Sequence, residues 1–140
     1  MAIQIYGYDQ MPKIAFDGTV DLNTDSLYMA MVTSSYTPSL AHTIWGDVSA
    51  NEVAAGSGYS TGGVLLALAS MDNSKFDVDD PTWSALTKTF RYLVVYDNVT
   101  RNGLVDPLIC YILPDDTPAD TVVTASDYTL PINPNGLITY

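Results

Sequence analysis

The chain has 140 residues, of which 47% are hydrophobic and 15% charged, and its formal net charge is −11. A chain of this length suits one domain with one apolar core, and this hydrophobic fraction excludes an intrinsically disordered protein. The acidic balance argues against nucleic acid and against anionic membrane as partners. Both are bound by clusters of Lys and Arg, and the chain has only five such residues.

The start of the chain shows no basic stretch followed by an apolar one, and no apolar run approaches the roughly 20 residues of a membrane span. We therefore expect synthesis and folding in a cytoplasm. Glu52 is the one Glu among the 16 acidic residues, and Asp prefers turns and caps to helix interiors. Cys110 stands alone in an apolar run, so we expect a buried thiol and no disulfide within the chain.

Short runs rich in Val, Ile, Leu, Tyr and Met alternate along the chain with clusters of Gly, Pro, Asn and Asp, which indicates β-strands joined by turns. Residues 1–11 are interpreted as an edge strand or as an arm that adds to a neighbour's sheet. The further predicted strands are residues 13–16, 26–32, 64–69, 75–78, 90–96, 108–113, 121–124 and 137–140. The pattern predicts one all-β domain over residues 1–140, an antiparallel β-sandwich of jelly-roll type, with an immunoglobulin-like strand order as the alternative.

The run over residues 90–96 is apolar on both of its faces. In an extended strand Phe90, Tyr92, Val94 and Tyr96 point one way, and Arg91, Leu93 and Val95 point the other way. Such a strand is predicted to be central and covered on both sides. The turn Asn102-Gly103 and residues 133–136 are predicted as loops at strand ends, where Gly and Asn tolerate positive φ.

One short helix is predicted around Ser49 and Glu52. These two residues have the spacing of a capping box, and Gly56 follows where a helix would stop. The helix is expected to bury Trp45, Val48 and Val53. The Gly-rich residues 56–63 after it lack the Lys of a P-loop and precede a strand-like run, so they predict a tight structural turn and not a phosphate site.

Residue types that carry out catalysis are scarce. His42 is the one histidine, no Gly-x-Ser-x-Gly motif is present, and no metal-ligand spacing surrounds Cys110. The acidic groups could in principle hold Ca²⁺, but none has EF-hand spacing and Asp is common in turns. They are Asp77, Asp79 and Asp80, the pair Asp115-Asp116, and the pair Asp21 and Asp25. We predict no catalytic residue, metal or cofactor, and a hydrolase with an Asp-based site is a distant alternative.

Tyr outnumbers Phe by ten to three, and Tyr is enriched in protein interfaces because it joins a large apolar ring to a polar end. Several tyrosines fall in predicted loops or near the termini, where a core role is hard to supply. The apolar residues of the N-terminal segment are candidates for the same kind of contact. The candidate contacts with a capsid or another subunit are Ile3, Ile5, Tyr6, Tyr8, Tyr36, Tyr59 and Tyr140.

The middle of the chain resembles a family of small virion proteins of tailed bacteriophages, whose members are labelled head decoration, cement, tail or structural proteins. The resemblance extends over most of the chain and is carried by a set of motifs rather than by one. The motifs are residues 45–53, 58–63 and Trp83 before the run 90–96, preceded by residues 17–22 and the run 27–32.

The resemblance implies a β-sandwich without catalytic residues that binds other virion subunits. We predict a capsid decoration (cement) protein on the head surface of the virion, made in the cytoplasm of the bacterial host. Its expected partners are the major capsid protein and copies of itself, as a dimer or trimer, which it would bind through Tyr and Trp anchors. The alternative is a receptor-binding or carbohydrate-binding module on a tail or fibre.

Overall fold

The computed structural model describes residues 3–139, and only the backbone of residue 139. The helix and strands are β1 Gln4–Gly7, α1 Met11–Phe16, β2 Leu27–Val32, β3 Val64–Leu65, β4 Leu68–Met71, β5 Lys75–Val78, β6 Thr82–Phe90, β7 Tyr92–Asp97, β8 Thr100–Arg101, β9 Leu104–Val105, β10 Leu108–Leu113, β11 Thr121–Thr129 and β12 Ile138–Thr139. A five-stranded antiparallel sheet has the order β1-β10-β7-β2-β3, and a three-stranded sheet has the order β12-β5-β4. Two long strands, β6 and β11, form a pair, and β8 and β9 form a small hairpin.

The predicted all-β class is confirmed, and the more specific jelly-roll arrangement stays a prediction. The bounds of β5 and β10 are those predicted, and β2 differs by one residue. The predicted strand 64–69 is divided between β3 and β4, and the predicted strand 121–124 extends to Thr129 in β11. The predicted strand 90–96 contains the end of β6 and most of β7, because the chain turns at Arg91.

Two predictions about helices are wrong. Residues 13–16 form the end of helix α1 and not a strand, since Pro12 lies in the first helical turn, where its missing N–H is not needed. The predicted helix at Ser49 is only a 3₁₀ turn, Ser49–Asn51, which follows another 3₁₀ turn, Trp45–Asp47. The Glu52 side chain does not cap this turn, because its carboxylate accepts hydrogen bonds from elsewhere in the chain.

The five-stranded sheet separates two groups of buried residues. The main core lies between this sheet and strands β5 and β6, and is largely aliphatic with Phe76, Trp83 and Phe90. The tyrosine core lies on the other face, and consists of Tyr8, Ala30, Val32, Tyr36, Val48, Val94, Tyr96 and Leu108. The predicted central strand is therefore confirmed for β7, because Leu93 and Val95 enter the main core while Val94 and Tyr96 enter the tyrosine core. The face predicted for Phe90 is wrong, because the chain bends at Arg91, and Phe90 ends β6 and enters the main core.

The Gly-rich segment forms the turn that leads into β3. Gly58, Gly62 and Gly63 all have positive φ, as a tight turn requires. A Cβ atom at Gly63 would overlap the backbone of Met29 and Ala30, so the turn packs directly against β2. The turn at Asn102-Gly103 is also present, between β8 and β9, with positive φ at both residues.

Candidate binding surfaces

The tyrosine core is held together by a chain of side-chain hydrogen bonds. The hydroxyl groups of Tyr8 and Tyr36 lie 3.0 Å apart, and the Tyr36 hydroxyl lies 2.9 Å from Nδ1 of His42. Burial, followed by the hydrogen bond to Tyr36, raises the pKa of Tyr8 far above its ordinary value. Both tyrosines therefore stay protonated and act as structural hydrogen-bonding groups, and His42 is a partner in this network.

Three of the predicted contact residues are inaccessible, because Tyr8, Tyr36 and Tyr59 are buried. The expectation that a core role would be hard to supply for them is wrong. Tyr59 donates to Oε2 of Glu52 at 2.6 Å and accepts from the backbone N–H of Met31 at 3.1 Å. The loop that follows β2 folds back over the sheet and brings Tyr36 into the interior, which local sequence does not reveal.

Three of the other predicted contacts lie at or near the surface. Tyr6 of β1 is 38% exposed and stacks on Tyr111 of β10, with ring centroids 5.0 Å apart and ring planes at 20°. Ile3 and Ile5 are half-buried, and Tyr140 lies outside the described residues. Residues 4–7 form an edge strand of the five-stranded sheet, which is one of the two alternatives for the N-terminal segment.

A groove with a volume of about 840 Å³ lies beside this edge strand. Its lining includes Ile3, Ile5 and Gly7 from β1 and the residue before it, Met11 of α1, and the buried residues Ile109, Cys110 and Ile112 of β10. The remaining lining residues form the wall 130–138, a segment that leads into β12. We call this feature the edge groove.

Two properties distinguish the edge groove from the rest of the surface. None of its described lining residues is charged, although the chain carries a net charge of −11. It also lies between two sheet edges, since β1 is the terminal strand of the five-stranded sheet and β12 the terminal strand of the three-stranded sheet. Edge strands present backbone N–H and C=O groups that can pair with a further strand. The edge groove can therefore accept an extended, uncharged, apolar segment.

Among the described lining residues of the groove, Cys110 alone carries a thiol, and it is buried. Cys110 is a buried, free cysteine, as predicted, and burial raises the pKa of its thiol to about 12. A thiol with so high a pKa is protonated at neutral pH and is a poor nucleophile. Its contribution to the groove is apolar contact.

Several of the acidic residues that we considered for Ca²⁺ accept hydrogen bonds from other groups of the chain. Asp80 accepts from the backbone N–H of Ile132, and Asp115 accepts from the backbone N–H and the hydroxyl of Thr117. Asp25 forms an ion pair with Arg101. Within residues 3–139, no group of three or more His, Cys, Asp or Glu side chains is placed to hold a metal ion.

The sequence interpretation missed one wall of the edge groove. Residues 130–138 contain two prolines and two asparagines, and we interpreted residues 133–136 as a simple loop at a strand end. The available signal was the apolar sequence Leu130, Ile132, Leu137 and Ile138 within this segment, which is too apolar for a solvated loop. Their approach to β1 joins residues more than 100 positions apart, and no local pattern encodes it.

Comparison of the chain with protein-family models, with curated proteins and with solved structures found no match. The resemblance to tailed-phage virion proteins therefore stays a prediction from the motifs. Within the described residues, no helix has the length and apolar character that crossing a membrane requires.

Proposed function

We propose that this chain is a decoration protein of a tailed-bacteriophage capsid, and that it docks through the edge groove onto an extended segment of the major capsid protein. The observation that carries the proposal is an uncharged apolar groove beside an edge strand on an otherwise acidic chain. The protein would act by binding alone, with no catalytic step. Residence on the head surface of the virion and association with further copies, as a dimer or trimer, are parts of the same proposal.

The physical basis of this docking is strand addition. Backbone hydrogen bonds to β1 would supply affinity, and apolar side chains that alternate along the added strand would fill the groove. The described lining residues offer no charged partner, so a charged side chain placed in the groove would lose its hydration without compensation. The groove therefore favours an apolar segment, and the net negative charge of the chain disfavours acidic partners.

A second candidate function is carbohydrate binding on a tail or fibre. It is supported by the exposed ring of Tyr6 stacked on the half-buried ring of Tyr111, since aromatic faces bind the apolar faces of sugars. Tyr6 belongs to β1, which also lines the edge groove, but the pair of rings presents a different chemistry. The two functions can therefore be separated by variants on β1 and in the groove.

The test is cosedimentation of the purified protein with phage heads that lack it. Ile132→Asp places a charge on a half-buried lining residue of the groove whose backbone hydrogen bond to Asp80 is retained. We expect the bound fraction to fall roughly tenfold or more, because burying an unpaired charge costs more than the 1.4 kcal/mol that equals one factor of ten. The matched control is Val122→Asp, at an apolar position of β11 that is 68% exposed and outside the groove.

Equal binding by the Ile132→Asp variant, the Val122→Asp variant and the unmodified chain would contradict docking through the groove. No binding of the unmodified chain to heads would contradict the decoration function itself. In that case Tyr6→Ala, tested by retention on host cell-surface polysaccharide, examines the carbohydrate alternative. Loss of retention in that variant alone would support it.

A further inference from the structure

Asp97 is an acidic residue placed where a charge is unfavourable. It is the last residue of β7, lies opposite Leu27 of β2, and has no exposed surface. Neither carboxyl oxygen of Asp97 accepts a hydrogen bond from an N–H group or hydroxyl within residues 3–139. Burying a carboxylate without hydrogen-bond donors is energetically unfavourable. The group that lies next to Asp97 therefore determines whether Asp97 is ionised.

That neighbour is a second carboxyl group, Asp25, in the loop before β2. The guanidinium of Arg101 in β8 donates two hydrogen bonds to Asp25, at 2.6 and 2.9 Å, and the backbone N–H of Asp21 donates a third at 2.8 Å. These donors favour the charged form of Asp25. Two carboxyl groups can hydrogen-bond to each other only when one is protonated, and the arrangement assigns that proton to Asp97.

The surroundings of the pair favour the neutral form of Asp97. Burial, the hydrogen bond with Asp25 and the negative charge of Asp25 raise the pKa of Asp97 to about 8, against a smaller opposing effect of Arg101. Asp106, after β9, adds a further negative charge that faces Asp97. Burial alone would raise the pKa of Asp25, but the hydrogen bonds from Arg101 and Asp97 hold it at about 2.

We propose that Asp97 donates a proton to Asp25 at neutral pH, and that this hydrogen bond is a latch, opened by alkali, that joins the end of β7 to the loop before β2. Hydroxide would remove the proton as water and leave two negative charges beside one Arg101. The hairpin region also bonds to this loop through the N–H of Asn98 to Ser26 and the amide of Asn102 to Thr19. The inference goes beyond the proposed function and does not depend on it.

The sign of the pH effect follows from these pKa values. The pKa of Asp97 is higher in the folded chain than the ordinary Asp value of 3.8 that applies after unfolding. Between these two values the folded state binds more protons, so the stability that the proton supplies decreases as the pH rises through about 8. The latch is therefore closed in acid and at neutrality, and open in alkali.

The first measurement is a carbon-13 NMR titration of the Asp side-chain carboxyl carbons in the folded chain. We expect one carboxyl carbon to titrate with a midpoint near 8, and we expect this signal to be absent from the Asp97→Asn variant. Titration of every Asp carboxyl carbon in the ordinary acidic range of about 3–5 would overturn the proposal.

The second measurement is the thermal unfolding midpoint from about pH 6 to about pH 9. The unmodified chain should lose stability over this range, whereas Asp97→Asn should lose less, because its amide donates to Asp25 at every pH. Asp79→Asn, at an exposed position, is the matched control and should keep the pH dependence of the unmodified chain. Parallel curves for the unmodified chain and Asp97→Asn would overturn the proposal.

Asp25→Asn provides an independent check if Asp97→Asn fails to fold. Removing the negative charge and supplying an amide donor should lower the midpoint of the Asp97 carboxyl carbon towards the ordinary acidic range. An unchanged midpoint near 8 in this variant would show that Asp25 does not hold the proton in place, and would overturn the proposed pair.

Discussion

The two faces of the five-stranded sheet are stabilised by different chemistry, although the same strands form both. One face of β2 and β7 presents Met29, Met31, Leu93 and Val95 to the main core, where burial of apolar surface needs no specific orientation. The opposite face presents side chains to the tyrosine core, where buried hydroxyl groups need partners at fixed distances. The comparison indicates that the main core supplies most of the stability and that the tyrosine core fixes the loop after β2.

The largest expected effect is in the main core. Leu93→Ala removes a fully buried side chain of β7, so we expect a loss of about 2–5 kcal/mol in the free energy of unfolding. Urea denaturation followed by circular dichroism measures this loss. A cost below that of the tyrosine-core variant described below would contradict the greater contribution of the main core.

The next effect tests how the Gly-rich turn packs against β2, a strand whose side chains enter both the main core and the tyrosine core. Gly63→Ala places a methyl group against the backbone of Met29 and Ala30, whereas Gly103→Ala meets no atom within 4 Å. Both glycines have positive φ, so the control should cost about 1–2 kcal/mol for that conformation alone. We expect Gly63→Ala to cost clearly more, measured by the urea midpoint. Equal costs would show that the turn does not need to lie directly against β2.

The smallest effect sharpens the role of the tyrosine core. Tyr36→Phe removes the hydroxyl that joins Tyr8 to His42, and leaves their buried polar atoms without this partner. We expect a loss of about 1–3 kcal/mol in unfolding free energy, together with faster amide hydrogen exchange in the loop after β2. Tyr6→Phe, which alters an exposed hydroxyl, is the control and should change neither quantity much. Unchanged exchange in Tyr36→Phe would contradict the idea that the hydroxyl chain fixes this loop.

The sequence predicted the features that depend on local pattern. The alternation along β7 predicted a central strand with two apolar faces, and the flanking turn residues predicted β5 and β10. Helix α1 was mistaken for a strand because four apolar and basic residues are too few to show a helical period. The turn at Arg91 was missed because an apolar run continues through it, and so the length of β6 was missed as well.

The candidate surfaces depend on tertiary contacts, which explains why only part of them was predicted. Tyr6 and the N-terminal isoleucines were identified because they lie in an apolar segment near the chain end. Tyr8 lies in the same segment and Tyr59 lies in the Gly-rich turn, and both are buried by segments that are distant along the chain. The edge groove needs residues from both ends of the chain, and Asp97 meets Asp25 only because β7 pairs with β2.

The proposal that this chain decorates a phage capsid is tested most directly by cryo-electron microscopy of virions assembled with and without it. We predict regular density for this domain at fixed positions on the head lattice, with the edge groove facing a segment of the major capsid protein. The density should be absent from particles that lack the chain. Heads that look the same with and without the chain would contradict the proposal, and density confined to the tail would favour the carbohydrate-binding alternative.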